Sequence, residues 1–403
     1  MVRYNCFKID VRGKVQTLKK CTSQFVGVTW IFFREFTQNS NIHGLRYFSE
    51  RGLHWSERLW WLVSLGLSLW LCGSMIHNSW SDWNENPLTF DSSNKAHIST
   101  IPFPTVTICP YIKTLKHKLD ISSKLNSKFE LIANLSDTES KQLNALAHIC
   151  PLLPQRLKSK ENFATESIYD TIKNLAPNLE YTIQSCSWKQ KRINCSEFMS
   201  PILTSNGLCF QFNALNSRDI YTTEMAPSIM KHIDSHRNAP FWSLENEYNE
   251  GFIGKDYPMR VFSSGRENGL ELILSTRTSD HDSRCSGFLK GFQIFLTSPG
   301  DLLKYNPHFR IQPSDDTLYV IKPRLRTSPK KLGKYQPKQR KCFFDFERRL
   351  RFFKSYSLQN CMDECTANFT MKKCGCVQFS MPRDKNTRIC GASKINCYEE
   401  ATT

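Results

Sequence analysis

Acidic residues are scarce in this chain of 403 residues. It contains 37 Asp and Glu against 54 Lys and Arg, which gives a net charge of +17. A basic surplus of this size suits nucleic acid or anionic lipid. The sequence lacks zinc-finger spacing, a basic leucine-zipper pattern and an aromatic-rich RNA-binding signature, which argues against a nucleic-acid partner. The densest basic run, residues 322–341, holds nine Lys or Arg, three Pro and no acid, which predicts a solvated loop.

Long apolar runs are missing too, except for one. Residues 59–81 carry no charge, and as a helix these 23 residues would span about 35 Å, enough to cross a hydrocarbon core of about 30 Å. Trp60, Trp61 and Trp80 lie near its ends, where indole rings favour the headgroup layer. The sequence therefore predicts a transmembrane helix over 59–81, and a buried helix of a soluble protein is the alternative.

The charges beside this segment predict its orientation. The position of the segment, which starts near residue 59, argues against a cleaved signal peptide. Residues 1–58 carry ten Lys or Arg and four acids, whereas residues 77–100 carry one Lys and three acids. The positive-inside rule then places residues 1–58 in the cytoplasm and residues 82–403 outside the cell, with the plasma membrane between them.

Cysteines and glycosylation sequons agree with that orientation. Thirteen of the sixteen cysteines follow the hydrophobic segment, as expected of an oxidising compartment. The three sequons, at Asn134, Asn194 and Asn368, lie in the same part. Cys374 and Cys376 are separated by one residue, which is too close for the usual zinc pair, so disulfides are favoured and no metal or cofactor is predicted.

The part outside the membrane has the pattern of an α+β fold. Residues 112–180 have helical spacing, and the β-branched run 105–109 is typical of a strand. Leu350, Phe353 and Ser357 share one predicted helical face, and Cys361 with Cys365 lie on one side of a helix. Further strands are predicted at residues 207–212, 270–274, 287–296 and 317–321.

Several motifs occur in the order of a known family. They are residues 40–47 (SNIHGLRY), 103–109 (FPTVTIC), 207–213 (GLCFQFN), 291–296 (GFQIFL) and a cysteine-rich block from Gln339 to Cys397. On the basis of these motifs, the chain resembles the degenerin/epithelial sodium channel superfamily over its whole length. Within the superfamily it is most similar to the insect pickpocket-type branch. The resemblance implies a hand-like ectodomain with palm, finger and thumb, a homo- or heterotrimer with other channel subunits, and a pore selective for sodium ions. It also implies that His43 and Gly44 act in gating.

The resemblance also implies disulfide pairs. These are Cys109 with Cys209, Cys186 with Cys195, Cys374 with Cys397 and Cys376 with Cys390, and we add Cys150 with Cys285 as a hypothesis. In the family the partners of Cys342, Cys361 and Cys365 follow the equivalent of Cys397. We therefore expect the sequence to be truncated inside the thumb, which leaves these three cysteines unpaired and the pore-lining second helix missing.

Two other functions remain open at this point. A non-conducting regulatory or receptor-like subunit would have the same topology. A type II membrane enzyme would also fit, because Asp280-His-Asp282 matches a short metal-binding pattern, although no phosphate loop or nucleophile–base pair is evident. The acids Glu245, Glu247, Asp315 and Asp316 could sense protons if they cluster, and otherwise form a solvated surface.

Overall fold

Local sequence signals set the ends of several elements. In the computed structural model the Ser136 side chain accepts a hydrogen bond from the backbone of Glu139, and the Glu139 side chain accepts one from the backbone of Ser136. This reciprocal cap satisfies two amides that a helix start leaves open. The structure describes residues 14–42, 44–50, 52–85, 88, 96–125, 135–153, 160–233, 237–239, 242–243, 247–248, 257–301 and 308–402.

The helices and strands of these residues alternate irregularly along the chain. The helices are α1 (Lys14–Asn39), α2 (Trp55–Glu85), α3 (Ile121–Lys124), α4 (Asp137–Ala147), α5 (Ser167–Leu175), α6 (Leu179–Thr182), α7 (Cys195–Phe198), α8 (Ser217–Ile220), α9 (Pro227–Lys231), α10 (Ser283–Ser286), α11 (Pro337–Arg340), α12 (Leu358–Cys374) and α13 (Ile395–Thr402). The strands are β1 (Thr105–Pro110), β2 (Phe163–Ala164), β3 (Ile183–Trp188), β4 (Lys191–Ile193), β5 (Met199–Thr204), β6 (Gly207–Phe212), β7 (Trp242–Ser243), β8 (Glu247–Tyr248), β9 (Leu270–Leu274), β10 (Phe292–Thr297), β11 (His308–Ile311) and β12 (Ile389–Cys390).

The chain divides into two units. One comprises residues 1–90 and 330–341 and contains α1, α2 and α11. The other comprises residues 91–329 and 342–403 and contains the strands and the remaining helices. We call it the ectodomain unit after the predicted topology. Mixed helices and sheets confirm the α+β class. The predicted span 59–81 lies inside α2, which is longer at both ends.

A five-stranded antiparallel sheet forms the centre of the ectodomain unit. Its strand order is β11-β10-β1-β6-β5. Every residue of β1 and β6 is buried, because both strands have neighbours on each side and are covered on both faces. The buried polar side chains of β1 and β6 are paired, as where Gln211 Nε2 donates to Thr107 Oγ1 at 3.1 Å across the two strands. The strands predicted at 105–109, 207–212 and 270–274 are confirmed.

Smaller sheets and a helix pair complete this unit. Strands β4, β3 and β9 form one sheet, and β12 pairs with β2. Helices α12 and α13 are joined by the disulfide between Cys374 and Cys397, and Lys373 Nζ lies 3.2 Å from Glu400 Oε2 on the same pair. The structure contains four further disulfides: Cys109–Cys209, Cys150–Cys285, Cys186–Cys195 and Cys376–Cys390.

Two predicted elements are wrong. Residues 317–321 form no strand, and Leu318 and Val320 are 64% and 77% exposed. An apolar, β-branched composition favours a strand only where a neighbour supplies the ladder of hydrogen bonds, and within the described residues this segment pairs with no strand. The helical face predicted from Leu350 to Ser357 is absent, because α12 begins at Leu358 with Ser357 as its cap.

One further strand starts later than predicted. The strand expected over 287–296 begins at Phe292. Helix α10 ends at Ser286, just before the predicted start of the strand. Gly287 and Gly291 both have positive φ, at +63° and +91°. Such a conformation interrupts the pleat of a strand. A prediction made from the apolar run alone therefore placed the start of the strand too early.

Candidate functional site

Gly44 begins the short turn that links α1 to α2. It has φ +92° and precedes a 3-10 helix over Leu45–Phe48. A Cβ atom at this position would lie 3.3 Å from Trp61 Cε3. Only glycine takes this backbone conformation without strain and also leaves room for the indole ring. His43, the other predicted gating residue, lies outside the described residues.

Two side-chain contacts fix this turn to the helices on either side. The rings of Tyr47 and Trp61 stack with centroids 4.3 Å apart and planes 11° apart, which joins the turn to α2. Thr37 Oγ1 lies 2.6 Å from Ser49 Oγ in a buried position, which joins the end of α1 to the end of the turn. The turn is therefore in direct contact with α2 through Trp61 and with α1 through Thr37.

Helix α2 has the properties of a membrane-spanning segment. It is the one helix among the described residues that is long and apolar enough to cross a bilayer. Its leucines lie at the surface of the protein, with Leu67 and Leu69 55% and 64% exposed. The hydroxyls of Ser68 and Ser74 donate to the backbone oxygens of Ser64 and Leu71, both at 2.8 Å. An exposed apolar surface with its polar groups satisfied internally suits lipid rather than water.

A buried arginine joins distant parts of the ectodomain unit. Arg383 is 1% exposed, and its Nη2 lies 2.6 Å from Glu166 Oε1 and 3.0 Å from Ser228 Oγ. The Tyr169 hydroxyl beside it donates to the backbone oxygen of Phe379. These contacts connect α5 and α9 with the segment after α12. The sequence gives no indication of these contacts, because Glu166 and Arg383 are 217 residues apart.

A buried histidine makes a second long-range connection. His148 Nδ1 lies 3.0 Å from the Tyr398 hydroxyl, and the two rings stack 13° from parallel. Burial lowers the pKa of His148 to about 4 and raises the pKa of Tyr398. Both groups are therefore neutral at pH 7, and this contact links the end of α4 to α13.

We expect the ectodomain unit to lose stability in acid because of His148. Its pKa is lower in the folded chain than the ordinary value of 6.5, so below pH 6.5 the unfolded state takes up a proton that the folded state does not. The free energy of unfolding should fall by about 3 kcal/mol between pH 6.5 and pH 4 through this group alone. Urea titrations at pH 7 and pH 4.5 on the wild type and on His148→Gln measure this loss.

The comparison between variants isolates this histidine from the other groups that titrate in acid. His148→Gln should lose less stability on acidification than the wild type, because glutamine takes up no proton. The exposed His117 provides a control, and His117→Gln should follow the wild type. Equal acid losses in the wild type and in His148→Gln would contradict the assignment.

Three of the carboxylates predicted for metal binding or proton sensing have structural partners. Asp280 accepts a hydrogen bond from the Tyr181 hydroxyl at 2.7 Å, and Asp282 accepts one from the backbone of Arg284 at 2.9 Å as the cap of α10. Asp315 accepts from the backbone of Gln312. Glu247 lies in β8, Asp316 is exposed, and Glu245 lies outside the described residues. Within the described ranges, no group of three or more His, Cys, Asp or Glu side chains could hold a metal ion.

The predicted modification sites lie in different surroundings. Asn194 is exposed and caps α7, and Asn368 is exposed in the middle of α12. Asn134 lies outside the described residues. The thiols of Cys342, Cys361 and Cys365 are free in the structure, and all three have some exposure to solvent.

Comparison with known proteins gives one consistent result. A family model described as "Amiloride-sensitive sodium channel" matches residues 36–403. Pickpocket protein 28 of Drosophila melanogaster is 25% identical over 377 residues, which cover 91% of this chain and 59% of that protein. Pickpocket protein 11 of the same organism is 22% identical, over 91% of this chain and 54% of that protein. The bile acid-sensitive ion channel of Mus musculus is 24% identical, over 87% and 61%.

Proposed function

Since the chain belongs to the amiloride-sensitive sodium channel family, we propose that it is a subunit of a sodium-selective cation channel in the plasma membrane. The observation that carries this proposal is the family match over residues 36–403, which includes α2, the central sheet and the cysteine-rich block. The matched relatives are ion channels rather than enzymes, so the alternative of a type II membrane enzyme is set aside. The chain spans 59% and 54% of the length of the two pickpocket proteins, and the activity of the whole protein is therefore part of the proposal.

In the proposed topology α2 crosses the membrane with α1 in the cytoplasm. The ectodomain unit lies outside the cell, where five disulfides are stable. The central sheet corresponds to the palm and the helix pair α12–α13 to part of the thumb. The subunit assembles as a homo- or heterotrimer with other channel subunits. The missing second transmembrane helix and the unpaired state of Cys342, Cys361 and Cys365 stay predictions.

Co-expression with a complete relative tests the proposed function. The full chain is expressed in oocytes alone and with a pickpocket-type subunit, and amiloride-sensitive sodium current and surface protein are measured together. A sodium current that rises on co-expression supports a conducting subunit. A current that falls while the partner stays at the surface supports the non-conducting regulatory alternative instead. An unchanged current, with both proteins at the surface, contradicts both functions.

We propose Gly44 as a gating residue, because it is the positive-φ position at the start of the turn that joins α1 and α2. Gly44→Ala adds a side chain in a left-handed conformation next to Trp61. A strain of about 1–2 kcal/mol that is relieved in one state changes the ratio of open to closed channels about 5- to 30-fold. We therefore expect a change of that size in single-channel open probability at an unchanged surface level, measured in the co-expressed channel.

Gly52 provides the matched control for this variant. It also has positive φ, at +105°, but a Cβ atom there would meet nothing within 4 Å. Gly52→Ala carries the same backbone cost without the contact to the indole ring, so it should change gating less than Gly44→Ala. Equal gating in the wild type and Gly44→Ala would remove Gly44 from the gating machinery.

A further inference from the structure

A cavity lies between three parts of the ectodomain unit. It is bounded by the β5–β6 hairpin, by α5 and α9, and by α12 with the segment that follows it, and its volume is about 70 Å³. Ser205, Asn206 and Ser380 are half-buried, so the cavity approaches the surface at these residues. A cavity of about 150 Å³ holds benzene, which has six heavy atoms, so this cavity has room for about three or four.

Much of the inner wall is apolar. Ile202, Ile229, Phe379 and Met381 line the cavity, and each of them is at most 7% exposed. Water gains little from such a surface, because a buried water molecule needs about two to four polar partners. The same surface suits a short hydrocarbon chain, as the apolar linings of ligand pockets generally do.

A polar group of this wall lacks a partner in the protein. Tyr221 is 3% exposed, and its ring packs on Phe353 with centroids 5.4 Å apart. Within the described residues the Tyr221 hydroxyl makes no hydrogen bond. Burial raises the pKa of Tyr221, so the hydroxyl keeps its proton at pH 7 and is a donor. Because a buried polar group without a partner is unfavourable, an occupant that accepts this hydrogen bond would be stabilised.

Two other hydroxyls of the wall already have partners. The Tyr169 hydroxyl donates to the backbone oxygen of Phe379. Thr204 Oγ1 lies 3.3 Å from the backbone oxygen of Gly207, and it accepts a hydrogen bond from the backbone of Asn206 at 3.0 Å. The Tyr221 hydroxyl is therefore a donor that the protein leaves open to an occupant.

The wall favours a neutral ligand over an ion. Among the described lining residues there is no Lys or Arg, and His232 is neutral at pH 7 because burial lowers its pKa. An anion would therefore find no positive charge. The Asp363 carboxyl has partners within the protein, one of which is the side-chain amide of Gln359, 3.5 Å from Oδ1. A neutral ligand needs no charge on the wall, so it is the class that these residues suit.

We propose that this cavity binds a small neutral alcohol or ketone of about four heavy atoms, whose oxygen accepts a hydrogen bond from the Tyr221 hydroxyl and whose alkyl groups lie against Ile229 and Met381. Because the walls come from the hairpin, from α5 and α9, and from α12 with the segment after it, an occupant would contact all three parts at once. About four heavy atoms can give a dissociation constant no lower than about 40 μM, so we expect millimolar binding. The site adds a ligand-binding function to the ectodomain unit and is independent of ion conduction.

Ligand-observed NMR on the purified full chain in detergent tests this proposal. Saturation-transfer signals of 2-propanol and acetone are titrated, and the signals from empty micelles are subtracted. We expect both molecules to bind and to compete with each other. Ethane-1,2-diol has as many heavy atoms as 2-propanol but carries a second hydroxyl in place of an apolar end, so it should bind at least about fivefold more weakly. Cyclohexanol is too large for the cavity and should not compete.

Two variants remove the site in different ways. Tyr221→Phe keeps the ring and removes the donor, so it should weaken the binding of 2-propanol and acetone about three- to tenfold. The fold should be unaffected, because the hydroxyl has no partner in the protein to lose. Ser380→Leu fills the cavity at a half-buried position, keeps Tyr221 and should prevent binding. Tyr319→Phe, at a half-buried tyrosine that does not line the cavity, is the matched control and should bind as the wild type does.

Four outcomes would overturn the proposal. They are no saturable binding of 2-propanol to the folded wild type, equal affinity in Tyr221→Phe, retained binding by Ser380→Leu, and binding of ethane-1,2-diol as tight as that of 2-propanol. Circular dichroism and urea midpoints confirm that each variant is folded before it is titrated. None of these measurements needs an ion current, so the result does not depend on the proposed channel function.

Discussion

Gly291→Ala is expected to prevent the ectodomain unit from folding stably. Gly291 precedes β10 with φ +91°, and a Cβ atom there would lie 2.0 Å from the backbone oxygen of Ile311 in β11. Its own oxygen accepts a hydrogen bond from the backbone of Tyr111 at 3.0 Å, so the segment is held on both sides. The left-handed conformation costs a residue other than glycine about 1–3 kcal/mol, and overpacking typically adds about 1–3 kcal/mol.

The backbone cost and the overpacking cost together are a large part of the free energy of unfolding of a domain, which is usually about 5–15 kcal/mol. Urea unfolding of the purified chain should show a midpoint far below that of the wild type, and the amount of folded variant recovered from cells should fall. Gly375→Ala is the matched control: Gly375 has φ +72° at the end of α12, but a Cβ atom there would meet nothing within 4 Å. If both variants are equally stable, the close approach of β10 and β11 at Gly291 is wrong.

Removal of the disulfide between Cys376 and Cys390 is the second large effect that we expect. Both sulfur-bearing residues are completely buried, and the bond closes a loop with a sequence separation of 14. Val377 and Ile389 form a bridge beside it, and β12 continues from there to β2. Cys376→Ala with Cys390→Ala should lower the free energy of unfolding by about 3 kcal/mol, mainly because the unfolded chain is no longer restricted.

Urea unfolding without reductant measures this loss. Cys365→Ala is the control, since Cys365 is an exposed free thiol and its replacement should change stability by less than about 0.5 kcal/mol. Addition of reductant should bring the wild type close to the double variant or below it, because the other four disulfides are also opened. A double variant as stable as the wild type would contradict a structural role for this bond.

The sequence predicted those elements whose cause is local. Helix α2 follows from its long uncharged apolar run, and β1 follows from a β-branched run that ends at Pro110. The turn at Gly44 is different. A His-Gly dipeptide is too short to predict a turn, and the requirement for glycine comes partly from Trp61, which lies close only after the chain has folded back. Contacts of this kind have no local signature.

The errors and omissions have the same origin. Residues 317–321 have the composition of a strand, but a strand also needs a neighbour, and composition does not supply one. The contact between Arg383 and Glu166, and the cavity lined by Tyr169, Ile229 and Asp363, combine residues from remote parts of the sequence. Spacing along the chain cannot indicate such sites, because their geometry is set by how α5, α9 and α12 pack.

The long sequence separations in the ectodomain unit have a consequence for its synthesis. The side chain of His148 can contact that of Tyr398 only after 250 further residues have been synthesised. Glu166 can contact Arg383 only after 217 further residues. At ribosomal rates of about 5–20 residues per second, this delay lasts roughly 10–50 s. During that interval Leu143 and Ile172, which are fully buried in the finished protein, have no completed core to cover them. These apolar side chains therefore stay uncovered in the nascent chain until the segments that pack against them have been synthesised.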